Sequence, residues 1–224
     1  MSEPSSSGGI KDLYVAAGAK VMLESARVAM DEHAREIFDL WFGGTAPKEV
    51  VFDNPKWASY MAAEPNLKRQ IRERLAEHAE QLRNQVDQSD FGLHGSLSLT
   101  FHGEAGSKQG GFRSGYDVLH GTNKSVGDLG VTGFYTTFRP GPPGTAYLVT
   151  YDSMTYVFND IVDINKRWSA DVTLGRTAQN MARALGAPPP KDYTLRIKWR
   201  SDGPIRVDVE GTPADSFHPP ARTF

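Results

Sequence analysis

Between PNLKRQIRERLAEHAEQLRNQV (residues 65–86) and LHGSLSLTFH (residues 93–102) the chain changes its hydrophobic period, and that change decides the fold. In the first stretch Leu67, Ile71, Leu75, His78, Leu82 and Val86 recur at steps of four, four, three, four and four. That spacing lays one stripe along an α-helix, with Arg, Glu and Gln on the solvated side. His78 lies on the stripe and reads as a core or interface histidine. In the second stretch Leu93, Leu97, Leu99 and Phe101 fall on one side of an extended strand, and Ser96, Ser98, Thr100 and His102 on the other. That is the period of a half-buried strand. Composition turns over at the same place: Ala, Glu, Arg and Lys dominate before residue 90, and Gly, Thr, Tyr, Val and Phe after it.

Reading towards the N-terminus, residues 11–42 carry Val21, Met22, Ala26, Ile37, Phe38 and Trp41 at helical spacing, and Gly43-Gly44 stops the run. Asp53-Asn54-Pro55 caps a short helix that reaches Ala63. Towards the C-terminus, 131–138 and 146–159 read as strands separated by the Pro-Gly-Pro-Pro-Gly turn at 140–144. A helix is expected over about 173–185, ended by Gly186 and Pro188-Pro189-Pro190. Tyr193, Leu195, Ile197 and Trp199 alternate with Thr194, Arg196, Lys198 and Arg200. The Ser201-Asp202-Gly203-Pro204 turn then leads into Ile205, Val207 and Val209, so 193–209 reads as a two-strand ribbon. The expected class is α+β: a helical N-terminal region followed by a mainly antiparallel, half-open β-barrel-like region with one short helix. Residues 1–10 read as a disordered lead-in, 11–89 as the helical region, 90–211 as the β-rich region and 212–224 as a loose tail.

Composition narrows the function. The 224 residues hold 25 Lys and Arg against 27 Asp and Glu, a net charge of -2. That balance argues against nucleic acid as the main partner. No apolar run approaches the ~18 residues of a membrane span, so neither a transmembrane segment nor a pore-forming hairpin is expected. Cys is absent, which removes disulfides, thiolate zinc sites and a cysteine nucleophile. The first nine residues lack the basic and apolar parts of a secretory signal peptide. The phosphate loop, the HExxH zinc helix, the GxSxG elbow and the dinucleotide fingerprint are all missing.

Two polar groups stand out against this background. In residues 156–168, Asn159, Asp160, Asp163 and Asn165 interrupt a run of Val, Phe and Ile, and Lys166 and Arg167 follow. Strand interiors rarely hold Asn or Asp, and a buried carboxylate must be paired, hydrogen-bonded or metal-bound. Asp160, Asp163 and Asn165 offer hard oxygen ligands for Mg²⁺ or Ca²⁺, and Arg167 suits a phosphate or one of these carboxylates. The plainer alternative is a turn capped by Asn159 or Asp160, with Asp163 paired to Lys166 or Arg167. The second group gathers Tyr116, Asp117, His120, Thr122 and Asn123 at what reads as a strand end, although Gly121-Thr122-Asn123 also makes an ordinary turn. His94 and His102 share a strand face about 27 Å apart and hold no common metal.

The run Asn159-Asp160-Ile161-Val162-Asp163 resembles the Asn-Asp-x-Tyr-Asp core of the colicin M-type bacteriocin activity domain. Tyr193-Thr194-Leu195-Arg196-Ile197 is similar to a strand that follows in that family, and so is the layout of helices first and β region last. The resemblance covers residues 91–210, with a sharp part of five residues. It implies hydrolysis of the peptidoglycan precursor lipid II, releasing undecaprenol and a pyrophosphorylated muropeptide, with a divalent cation. Asp160 and Asp163 would be the motif carboxylates and the Mg²⁺ (or Ca²⁺) ligands. Arg167 and His120 would be further catalytic groups, and Asn159, Asn165, Lys166 and Tyr116 substrate contacts. The family tyrosine is Val162 here, and the family histidine and the basic residue after it fall on Ser169 and Ala170. The resemblance further implies a toxin made in a bacterial cytoplasm, released or injected, and active in the target periplasm. The 11–89 helices would then serve delivery or docking, and an immunity protein or delivery apparatus would be partners. The alternative is a non-enzymatic secreted effector or binding module that uses the β region, with Arg196, Lys198 and Arg200 towards anionic headgroups.

Overall fold

The computed structural model describes residues 7–106, 113–119, 129–162, 169–185 and 187–211, with backbone alone over 7–15 and 169–175. In chain order the elements are α1 (Ser7–Ala29), α2 (Glu32–Phe42), β1 (Glu49–Phe52), α3 (Pro55–Ala63), α4 (Pro65–Gln81), α5 (Arg83–Gln88) and β2 (His94–Phe101). There follow α6 (Gly115–Val118), β3 (Leu129–Phe138), β4 (Tyr147–Val162), α7 (Ser169–Leu185), β5 (Tyr193–Arg200) and β6 (Ile205–Val209). The six strands form one open sheet in the order β1-β5-β4-β3-β2, with β6 also on β4. The fold is α+β, and the sheet is not closed. It is mixed: β1 runs parallel to β5, and the other pairs are antiparallel.

Local capping explains most helix boundaries. The Asn54 side chain accepts the Trp57 N–H at 3.0 Å with Pro55 in the first turn, as the sequence predicts. The apolar stripe of 65–86 is buried at Leu67, Ile71, Leu75, Leu82 and Val86, although the helix re-starts after Leu82 as α5. Residues 11–42, expected as one helix, are two. Asp31 takes an extended conformation and accepts the Ala34 N–H at 2.7 Å, so it caps a new helix. Helix α1 begins at Ser7, inside the expected lead-in, and the helix expected over 173–185 is longer, from Ser169. The region expected to be helical also contributes β1 to the sheet edge. Residues on both sides of the composition change share one core. Ile37, Trp41, Trp57, Leu67 and Leu75 from the helices pack with Val149, Tyr151, Phe158, Leu195 and Ile197 from the sheet.

Strand β4 carries the sheet, pairing with β3 along one side and with β5 and β6 along the other. Its buried positions are Tyr147, Val149 and Tyr151, then Met154, Tyr156, Phe158, Asp160 and Val162. The parity changes between Tyr151 and Met154. A β-bulge makes the change: Thr132 pairs with Thr155 but Phe134 with Asp152, so Gly133 faces both Ser153 and Met154. Ser153 takes φ +54°, a left-handed conformation. The bulge also divides the other edge. β5 covers 155–162 and β6 covers 147–151, and the Ser201 N–H donates to the Met154 carbonyl at 3.0 Å between them. The expected ribbon of 193–209 is therefore absent. Ser201-Asp202-Gly203-Pro204 is a step between two in-line strands, because both run antiparallel to β4 and cannot pair with each other.

Three tyrosines tie the layers together. Tyr147 donates its hydroxyl to the Ala79 carbonyl at 2.6 Å, Tyr151 to Leu75 at 2.9 Å and Tyr193 to Ile37 at 3.0 Å. His78 Nδ1 lies 2.9 Å from the Tyr151 hydroxyl. Since that hydroxyl gives its one proton to Leu75, the His78 nitrogen must carry a proton and donate.

Replacing Gly133 by Ala places a Cβ about 2.9 Å from the Asp152 carbonyl oxygen, and the expected cost is about 1–3 kcal/mol in chemical denaturation. Ser153→Gly relieves the positive φ and is expected to lie between 0 and about 1 kcal/mol more stable. Tyr151→Phe leaves a half-buried imidazole N–H without its acceptor and should cost about 1 kcal/mol. Burial pushes the phenols of Tyr147 and Tyr156 from 10.0 up to about 12, and that of Tyr151 higher still. Their stabilisation is complete below pH 10 and is lost as pH rises towards 12. A tyrosinate absorbance titration should show ionisation and unfolding together in that window.

Candidate functional site

The C-terminal end of β4 holds the two described residues of the predicted carboxylate cluster. Asn159 and Asp160 are neighbours on a pleated strand, so their side chains leave opposite faces. Asp160 is 6% exposed, on the face that also buries Phe158 and Val162, and pairs across to Leu195. One carboxylate oxygen accepts the Ile161 N–H at 2.8 Å. Asn159 points to the other face, where its side-chain oxygen accepts Arg196 Nε at 3.0 Å, and Arg196 Nη1 pairs with Glu49 at 3.0 Å. An Asn in this strand interior is thus satisfied by its direct cross-strand partner, a link that joins β4, β5 and β1. The same link holds Arg196, one of the three cations expected to face headgroups, within the sheet.

His120, Asp163, Asn165, Lys166 and Arg167 lie outside the described residues. A carboxylate oxygen is the hard donor that Mg²⁺ or Ca²⁺ takes, so Asp160 suits such an ion in kind. Among the described residues no three His, Asp or Glu side chains converge to hold one. None of the described helices is long and apolar enough to cross a membrane.

Tyr116 belongs to a different group of side chains. It lies on α6, a helical turn closed by the Ser114–Asp117 capping box, and not at a strand end. Its hydroxyl donates to the Tyr60 carbonyl, its N–H donates to the Tyr60 hydroxyl at 3.1 Å, and the two rings stack at 3.8 Å. The Tyr60 hydroxyl in turn donates to Asp31 at 2.8 Å, and Asp31 also accepts the Gly115 N–H at 3.1 Å. His33 completes the stack, 3.7 Å from Tyr60 and edge-on to Trp57 at 4.6 Å. Its Nε2 is buried without a partner among the described residues, and burial first of all holds its pKa below 6.5. The cap that begins α2 thereby anchors α3 and α6. No local pattern announces this group, because Asp31 meets partners 29 and 84 positions away.

The chain matches no family model, and neither a curated protein nor a solved structure matches it.

Burial of two histidines, His33 in the Asp31 group and His78 against Tyr151, has an acid-side consequence. His33 and His78 are both held below their ordinary pKa of 6.5 by burial, so the unfolded chain takes up their protons more readily than the folded one. Their contribution to stability is present above pH 6.5 and is lost as pH falls below it. The melting temperature should fall on going from pH 7.5 to pH 5. In His33→Phe, which keeps the ring stack and cannot protonate, the fall should be smaller.

Proposed function

We propose that this chain hydrolyses lipid II between undecaprenol and pyrophosphate, with Asp160 and Asp163 as the working carboxylates. One observation carries the reading. Asp160 is a carboxylate kept at 6% exposure on an apolar face, at the end of β4, and it stands three positions before a second Asp. A carboxylate is kept at such burial only where it is hydrogen-bonded, paired or metal-bound. The resemblance of 159–163 to the colicin M-type core supports the substrate.

In this reading one carboxylate takes the proton of the water that attacks phosphorus, and the other orients the pyrophosphate. Lys166 and Arg167 supply positive charge to the phosphate oxygens. Asn165 completes the proposed substrate contacts, whereas Asn159 and Tyr116 are engaged by Arg196 and Tyr60; His120 supplies an imidazole where the family histidine is replaced by Ser169. The P–O bond to undecaprenol breaks and the undecaprenol oxygen leaves with a proton; Asp160 and Asp163 would hold a Mg²⁺ or Ca²⁺, which would neutralise charge on the pyrophosphate oxygens. The biological setting follows as part of the proposal: a toxin released or injected into a competitor, acting in its periplasm, with an immunity partner in the producer.

Purified protein incubated with lipid II and Mg²⁺, with products separated by chromatography, should release undecaprenol and pyrophosphoryl-muropeptide. Asp163→Ala and Asp160→Asn should each lower the rate by about 10²–10⁴-fold while circular dichroism stays native. A folded wild type that turns over nothing with Mg²⁺, Ca²⁺ or Mn²⁺ overturns the enzyme and leaves a non-enzymatic binding module as the reading. A variant that loses stability but keeps its rate removes that aspartate from the mechanism.

A further inference from the structure

A cleft of about 640 Å³ opens where β5 steps to β6 beneath α3 and α4. Its origin is the bulge in β4. Because β5 stops at Arg200 and β6 starts at Ile205, the 201–204 step forms a wall, and the buried rings of Tyr156 and Trp199 form the floor beside it. Their rings stack at 5.2 Å and 23°. Neither the Tyr156 hydroxyl nor the Trp199 indole N–H donates to any described group, and burial keeps the phenol protonated, with its pKa pushed up to about 12.

Four exposed cations line the cleft, Lys68 and Arg72 from successive turns of α4 with Arg200 and Arg206 from the strand edge, against Asp202 as the one acid in the lining. None of the four makes an ion pair among the described residues. Their neighbours on α4 and α5 behave otherwise: Arg69 pairs with Glu73, Arg74 with Glu77 and Arg83 with Glu80. The helix therefore supplies acids to the arginines that face solvent and none to those that face the cleft. In a chain of net charge -2, four converging cations repel one another unless an anion sits among them. Guanidinium forks match phosphate oxygens two at a time, and the volume falls within the ~300–1,000 Å³ range of small-ligand sites.

We propose that this cleft binds a phosphate or pyrophosphate headgroup on Lys68, Arg72, Arg200 and Arg206, with the group that carries it packed on Tyr156 and Trp199. The site is separate from the β4 terminus: Tyr156 and Asp160 share a face but lie about 13 Å apart along the strand. The inference holds whether or not the chain cleaves lipid II.

Inorganic pyrophosphate titrated by calorimetry tests a soluble phosphate ligand, and co-sedimentation with phosphatidic acid vesicles, against phosphatidylcholine vesicles, tests a lipid headgroup. Binding in either arm, weakening as salt is raised, is the expected result. The Lys68→Ala/Arg72→Ala protein should bind at least about tenfold more weakly. Arg69→Ala/Arg74→Ala, on the same helix but outside the cleft, should bind as wild type does. Arg206→Ala provides a second variant on the opposite wall and should weaken binding as well. Failure of the folded wild type in both arms overturns the proposal. So does an equal loss in the Arg69→Ala/Arg74→Ala control, which would show a diffuse charge effect and no site.

Discussion

A strand of sixteen residues keeps one face buried only while its side chains alternate without a slip. In β4 the alternation slips at Asp152-Ser153, and the extra residue there is absorbed by a bulge opposite Gly133. The core face of β4 and the cleft depend on that local arrangement. It lets Tyr147, Val149 and Tyr151 face the helices together with Met154, Tyr156 and Phe158. It also breaks the β5–β6 edge into two in-line strands and so leaves open the cleft beside Trp199. Without the extra residue, one half of β4 would turn its aromatic side chains to solvent.

The helices are held to this sheet by phenols that do two jobs. Tyr147, Tyr151 and Tyr193 bury their rings as hydrophobic mass and place each hydroxyl on a helix carbonyl. A Leu at these positions would bury comparable area but would not specify which turn of helix it meets. The tyrosine pattern therefore fixes the register of α2 and α4 over the strands, and with it the position of Lys68 and Arg72 over Trp199. On the far face the Glu49–Arg196–Asn159 link fixes the order of β1, β5 and β4 in the same way.

What could be read in advance was what depends on near neighbours. The stripe of 65–86, the Asn54-Pro55 cap and the alternation of 93–102 are all present as read. Asp31 is also a local cap, but apolar spacing runs straight across it, so the break between α1 and α2 is hidden. β1 is four residues long, and its pairing with Thr194 to Ile197 leaves no periodic trace. Ser201-Asp202-Gly203-Pro204 has the composition of a hairpin turn, and only the bulge in a different strand makes it a step. At the candidate site, adjacency in sequence grouped Asn159 with Asp160, whereas the pleat separates them. Tyr116 reads as part of a separate polar group with Asp117 and His120, and it is engaged with Tyr60 and the cap of α2. The four cations of the cleft come from segments more than a hundred residues apart and look like ordinary solvated faces when each is read alone.

The joint between the first and last thirds of the chain also bears on how the molecule is made. Trp41 donates to Asp192, Lys191 to the Trp41 carbonyl and Tyr193 to the Ile37 carbonyl, and among the described residues β1 pairs only with β5. During synthesis, α2, α3 and α4 leave the ribosome long before the strands that cover them exist. Their apolar faces, including Trp41 and Trp57, stay uncovered until residues near 200 emerge. Such non-local closure folds late and leaves partly made chains open to association. Truncation before Tyr193 would remove β5 and leave the faces of α2 and β1 that it covers without a partner.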